Sequence, residues 1–134
     1  MADLEQETRK LFDRYLTAWN ARDFPGVADC FTEPAMFVLP GTTISLPDHE
    51  SLVGMLGKLF ETLESQGFSH TTLGRISPLP CGEDMAIVDV RSVKRHRGDG
   101  TLLEEIDAHY VMKRESDRWL LTVAVSCAPG WRAN

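Results

Sequence analysis

Cysteine is scarce in this chain. The three present, Cys30, Cys81 and Cys127, are an odd number with no C-x-x-C pair, which excludes a closed disulfide framework. They read as buried thiols of a protein kept in a reducing compartment. Long apolar runs are missing too. The cleanest, "AMFVL", falls far short of the roughly 20 residues that a membrane-spanning helix needs. The first residues, "MADLEQETRK", have no basic segment leading into an apolar one, so they do not read as a secretory leader. The expectation is a soluble, cytoplasmic protein with no membrane partner. Positive charge is in deficit: 14 Lys and Arg against 20 Asp and Glu give a net charge of −6, which argues against a nucleic-acid partner. No pair of histidines has ligand spacing on one helix, and there is no P-loop and no G-x-G-x-x-G. Neither a metal nor another cofactor is expected. Internal repeats and low-complexity segments are also lacking.

What is present is ordinary globular material: 134 residues, 43% hydrophobic and 25% charged, read as a single domain over 1–134. A chain of this length buries roughly two thirds of the surface exposed when unfolded and needs no staples. Leu4, Leu11, Phe12, Tyr15, Ala18 and Trp19 recur at helical spacing, predicting a helix over about 3–21 with Asp3 and Gln6 as a capping box. Asp23 caps a second, short helix with Pro25 in its first turn. "AMFVL", bracketed by Pro34 and Pro40, reads as a strand, and "PGTTISLP" as a turn-rich connection. A third helix over about 48–67 carries Leu52, Val53, Leu56, Leu59, Phe60 and Leu63 on one stripe. Gly54 and Gly57 each weaken it by about 1 kcal/mol relative to alanine, which suggests close approach of another backbone.

The second half turns to strands. "SHTTLGRIS", "MAIVDVRSVKRH", "TLLEEIDAHYVMKR" and "RWLLTVAVSC" are rich in Val, Ile, Thr and aromatics, with tight turns at "RGDGT" and "RESDR". Helices followed by an antiparallel meander predict an α+β domain in which a curved sheet wraps the N-terminal helices. Alternation puts Asp107 and His109 on one face of their strand and Ala108 and Tyr110 on the other. The turn decides what faces them. A three-residue "GDG" loop with Gly100 left-handed sets Asp89 opposite His109 and Arg91 opposite Asp107. A two-residue "DG" turn puts Asp89 and Arg91 on the face of Ala108 and Tyr110 instead. The longer loop is favoured because it matches polar residues to one another. The basic run Lys94, Arg95, His96 and Arg97 reads as a solvated edge or a dimer rim.

Three stretches, "YLTAWNARDFPGVADCF", "EPAMFVLPG" and "YVMKRESDRWLLTVAV", in this order and spacing, resemble the NTF2-like superfamily, also called SnoaL-like or cystatin-like α+β barrels. The resemblance covers nearly the whole chain. It implies a cone-shaped pocket between helices and sheet, a small apolar ligand, and pairing of two copies through the outer sheet face. It does not fix the chemistry, since folds of this kind serve many functions. "RYLTAWNARD" is similar to the first-helix segment of ketosteroid isomerase, which implies Tyr15 as a hydrogen-bond donor to a developing enolate. The aspartate which that enzyme keeps before a proline is here Leu39, and an apolar side chain abstracts no proton.

Two readings follow. In one, the protein is a cofactor-independent isomerase, dehydratase, cyclase or hydrolase. Tyr15 donates, His109 shuttles a proton as histidine does near neutral pH, and Asp107, Asp89 and Arg91 orient the substrate. In the other, the same fold binds a ligand or a second subunit without chemistry, in a pocket walled by Trp19, Phe31, Phe37, Met55, Leu56 and Leu59. The first requires that the Asp89–Arg91–Asp107–His109 cluster face the cavity.

Overall fold

The structure, a computed structural model, describes residues 3–128. Residues 1, 2 and 129–134 of the expected domain lie outside the described residues. Helix α1 (Leu4–Asn20) begins where the Asp3 carboxylate accepts from the Glu5 N–H, and it buries Leu11, Phe12, Tyr15, Ala18 and Trp19. It stops at "NARD", where Arg22 takes a φ of 58°. Helix α2 (Phe24–Ala28) is capped by Asp23, whose carboxylate accepts from the Gly26 N–H. A Cβ at Gly26 would lie 2.4 Å from that carboxylate, so the cap demands glycine. Helix α3 (His49–Ser65) is capped by Asp48 and buries Leu52, Leu56, Phe60 and Leu63. The close backbone approach expected at Gly54 and Gly57 is not found: a Cβ at either meets nothing within 4 Å.

The strands are β1 (Phe31–Leu39), β2 (Thr42–Leu46), β3 (Phe68–Thr72), β4 (Ile76–Pro80), β5 (Met85–Arg97), β6 (Leu102–Glu115) and β7 (Arg118–Cys127). They form one curved, unclosed sheet in the order β2-β1-β7-β6-β5-β3, with β4 also paired to β5. The α+β architecture matches the expectation, with three differences. "PGTTISLP" is not mere connection: Gly41, at φ 85°, turns the chain into a hairpin in which Leu39 pairs with Thr42. The sheet is mixed, because β1 runs parallel to β7, with Phe37 opposite Ala124. Parallel pairing needs a long crossover, and α3 with the whole meander supplies it. Finally, "SHTTLGRIS" is two strands, both paired to β5 but at opposite ends of it.

That last break has one cause. On β5, Val90 pairs with Ala108 but Val93 pairs with Ile106, so Arg91 and Ser92 together oppose Asp107. This is a β-bulge, with Ser92 at φ 56°. The Arg91 carbonyl swings out and accepts from the Gly74 N–H at 3.0 Å, and a Cβ on Gly74 would come within 2.4 Å of it. The edge strand divides there into β3 and β4, and the Arg91 N–H donates to the Arg75 carbonyl at 2.8 Å on the other side of the break. A second irregularity, between Arg95–Glu104 and His96–Leu102, gives β6 an extra residue and cancels the first. The longer loop is the one formed: Arg97 donates its N–H to Thr101 and Gly100 takes a φ of 89°. Asp89 therefore pairs with His109 as the favoured register requires.

The helices and the sheet share one apolar cluster running from Leu11 and Phe12 through Phe31, Leu56 and Phe60 to Val88, Val90, Met112 and Leu121. Of the cysteines, Cys30 is buried as expected, but Cys81 is exposed and Cys127 half-buried. Among the described residues no helix is long and apolar enough to cross a membrane, and no group of three metal-ligating side chains forms.

Candidate functional site

Between α1, α3 and the inner face of the sheet lies a cavity of about 380 Å³. That is within the usual range for small-ligand sites. Helix α1 contributes Tyr15 and Trp19, α3 contributes Met55, Lys58, Leu59 and Thr62, and β1 contributes Phe37 and Leu39. The rest of the wall includes Val93, Arg95, Ile106, Ala108 and Tyr110 from the central hairpin, with Thr71 and Leu73 at one side and Ala124 to Ser126 at the other.

Trp19 is held in place twice. Its indole N–H donates to the Thr71 hydroxyl at 3.1 Å. The neighbouring Asn20 amide brackets Thr71, donating to its carbonyl at 3.0 Å and accepting from its N–H at 2.8 Å. Asn20 thus pairs with the edge of β3 as another strand would. Arg22 continues the lock, donating to the carbonyls of Asn20 and Ser69 and to Glu64 of α3. This is why the "WNARD" segment sits as it does: it joins the end of α1 to the sheet and to the end of α3.

Tyr15 lies at the inner end of the cavity, edge-on to Phe12, Trp19, Phe31 and Tyr110. Its hydroxyl meets that of Tyr110 at 3.3 Å. Burial first, then the neighbouring Tyr110, pushes the Tyr15 phenol well above its ordinary value, and burial raises Tyr110 as well. Both stay protonated at any physiological pH. One hydrogen bond between two hydroxyls uses one of their two protons, so the other remains to donate to an oxygen in the cavity.

Arg95 enters the same cavity. The bulge puts it there: were the same residues a regular strand, alternation from Asp89 would carry Arg95 to the outer face. Its guanidinium stands over the Trp19 ring, 5.8 Å from the centroid, and pairs through Nη1 with Glu104. Its Nε–H is buried without a partner among the described residues. In the sequence this arginine reads as part of a solvated edge or a dimer rim. The missed signal was parity: Val93 is buried although it has the same numbering parity as Asp89 and Arg91.

The expected cluster of Asp89, Arg91, Asp107 and His109 forms, but not at the cavity. The alternation that turns Ala108 and Tyr110 inward turns Asp107 and His109 outward, and none of the four lines the cavity. Arg91 donates to Asp89 at 3.3 Å and to Asp107 at 3.5 Å, and Asp89 lies 3.7 Å from His109 Nδ1. Asp107, only 3% exposed, accepts from the Ser92 N–H at 2.9 Å and so closes the bulge from outside. Tyr15 and His109 stand on opposite sides of the sheet and do not converge on one ligand. Of the expected pocket residues, Trp19, Phe37, Met55 and Leu59 line the cavity. Phe31 and Leu56 are fully buried behind it, Phe31 stacking on Phe37 at 5.4 Å.

Residues 6–129 match the model of a family described as NTF2-like protein (DUF6841). No curated protein matches the chain. Solved structures share its fold. One is an NTF2-like protein with a cystatin-like fold from Novosphingobium aromaticivorans, with a TM-score of 0.78 at 16% identity over 92% of this chain and 80% of that one. ActVI-ORFA from Streptomyces coelicolor gives 0.78 at 16% identity over 93% and 97%. Aln2 from another Streptomyces gives 0.77 at 16% identity over 96% and 94%.

Proposed function

The chain belongs to this NTF2-like family, and from that premise we propose that it binds a small, mostly apolar molecule in the cavity between its helices and sheet. The observation that carries the reading is the composition of the wall. Aromatic and aliphatic side chains surround a space of about 380 Å³, with a buried phenol pair at its inner end and Arg95 at its side. A few convergent polar groups in an apolar cavity are the usual form of a small-ligand site.

Binding is favoured over turnover because the described lining residues include no carboxylate, imidazole or thiol. Leu39 itself lines the cavity, at the place where the resemblance would require a base. Tyr15 and Tyr110 can polarise a carbonyl or hold a hydroxyl, but a proton-abstracting partner does not accompany them. The outer cluster is assigned a different task, holding the β5 bulge.

The test is occupancy of the cavity by an apolar probe. Replacing Leu59 with tryptophan fills the space from the α3 side, at a half-buried position whose helix is anchored by other residues. A naphthyl ketone titrated calorimetrically is expected to bind the natural protein and to lose at least about tenfold in affinity in Leu59→Trp. Equal binding by both proteins places the probe elsewhere and rejects the cavity as the site.

A further inference from the structure

The cavity's charge favours an anionic ligand over a neutral one. In a chain of net charge −6, the two charged residues among the described lining are both cations, Lys58 and Arg95. Lys58 is on the exposed side of α3, at the rim. Arg95 is deep, its side chain 17% exposed. Only one edge of its guanidinium is used. Nη1 faces Glu104, which is itself 41% exposed and so keeps part of its hydration, while Nε–H has no acceptor among the described residues. A buried donor left unpaired costs about 1–3 kcal/mol, and more when charged. A wholly apolar ligand would add to that cost by expelling water from the rest of the cation. A carboxylate would instead offset the buried positive charge, because its two oxygens match the arginine fork.

We propose that the ligand is an organic monocarboxylate with a flat apolar body, its carboxylate on the free edge of Arg95. This deepens the reading above and rests on it. The body lies between Trp19, Phe37, Met55 and Leu59, which provide aromatic and flexible aliphatic surfaces. The unspent proton of the Tyr15–Tyr110 pair serves a second oxygen on the ligand. Glu104 acts as the resident competitor. It holds Arg95 in place while the cavity is empty and shares the guanidinium once a ligand carboxylate arrives.

The experiment compares 2-naphthoate with 2-acetylnaphthalene, its neutral counterpart of similar size, by calorimetry on the natural protein, Arg95→Gln and Glu104→Gln. Near-ultraviolet circular dichroism checks each fold. The carboxylate is expected to bind at least about tenfold tighter than the ketone, the scale of one charge-assisted contact. Arg95→Gln should abolish that ratio, and Glu104→Gln should raise carboxylate affinity severalfold. Equal affinities in the natural protein, or a ratio unchanged in Arg95→Gln, overturn the carboxylate proposal but leave an apolar cavity standing. Should Arg95→Gln fail to fold, Glu104→Gln decides alone: no gain for the carboxylate overturns the proposal. Binding of neither compound overturns the cavity reading itself.

Discussion

The Tyr15 hydroxyl ties α1 to β6 through that of Tyr110, 95 residues away along the chain. The pair also dictates a pH dependence. Burial holds the folded Tyr15 phenol above the unfolded value of 10.0. Below pH 10 both states carry the proton and the contribution is constant. Above it the unfolded chain loses the proton first, binds fewer protons than the native state, and stability falls as pH rises. Tyr15→Phe is expected to cost roughly 1 kcal/mol at pH 7 by loss of the hydroxyl contact. That deficit should shrink between pH 10 and 11, as urea unfolding at several pH values would reveal. A deficit that grows instead would mean the phenolate is stabilised in the fold. Arg95 is the harder residue. Counting alternate positions along "MAIVDVRSVKRH" sends it outward, and the sign of the extra residue at Ser92 is slight: one apolar residue, Val93, at the parity of Asp89 and Arg91.

At the scale of elements, the helix boundaries were legible because caps are local. Asp3, Asp23 and Asp48 each bond within three residues of themselves. The favoured register of the β5–β6 hairpin was legible from Gly100 and from matching polar partners. The division of β3 from β4 was not, since it depends on a carbonyl of the neighbouring strand. The bulge also gives the outer cluster its part in the cavity. Asp107 seals the bulge by accepting from the Ser92 N–H, and Arg95 follows three residues later. Asp107→Ala is expected to destabilise the protein by roughly 2 kcal/mol, as for loss of a buried charged acceptor. It should also lower the preference for 2-naphthoate over its ketone, because Arg95 is no longer held in its inward register. Calorimetry on this variant separates the two possibilities: destabilisation with the ratio intact would make Asp107 purely structural.

For the whole molecule, the order of helices and strands conveyed the α+β class, and the resemblance to the NTF2-like superfamily implied the cavity between the two layers. It did not convey that the sheet is mixed. The reason is distance: β1 finds its neighbour in β7, with the other strands and α3 between them in sequence. Non-local pairing of this kind must overcome loop-closure entropy before it is rewarded. The β5–β6 and β6–β7 hairpins are expected to gain amide protection first, and the β1 amides around Phe37 only afterwards. Pulse-labelled hydrogen exchange during refolding measures that order. Protection of β1 ahead of β6 would show that β1 and β2 form a stable hairpin before the rest of the sheet.

The two irregularities of the central hairpin have a consequence for how such a chain can change by descent. Five positions separate Val90 from Arg95, an odd number, yet both face inward, because Ser92 is absorbed by the bulge. Deleting Ser92 would flatten β5 and leave Arg95 in the cavity, since the bulge already accounts for that residue. An added residue that the ladder cannot absorb would instead exchange Arg95 for a neighbour of opposite parity, Lys94 or His96. The side chain that β5 presents to the cavity can therefore change through gain of a single codon, with no substitution anywhere in the chain.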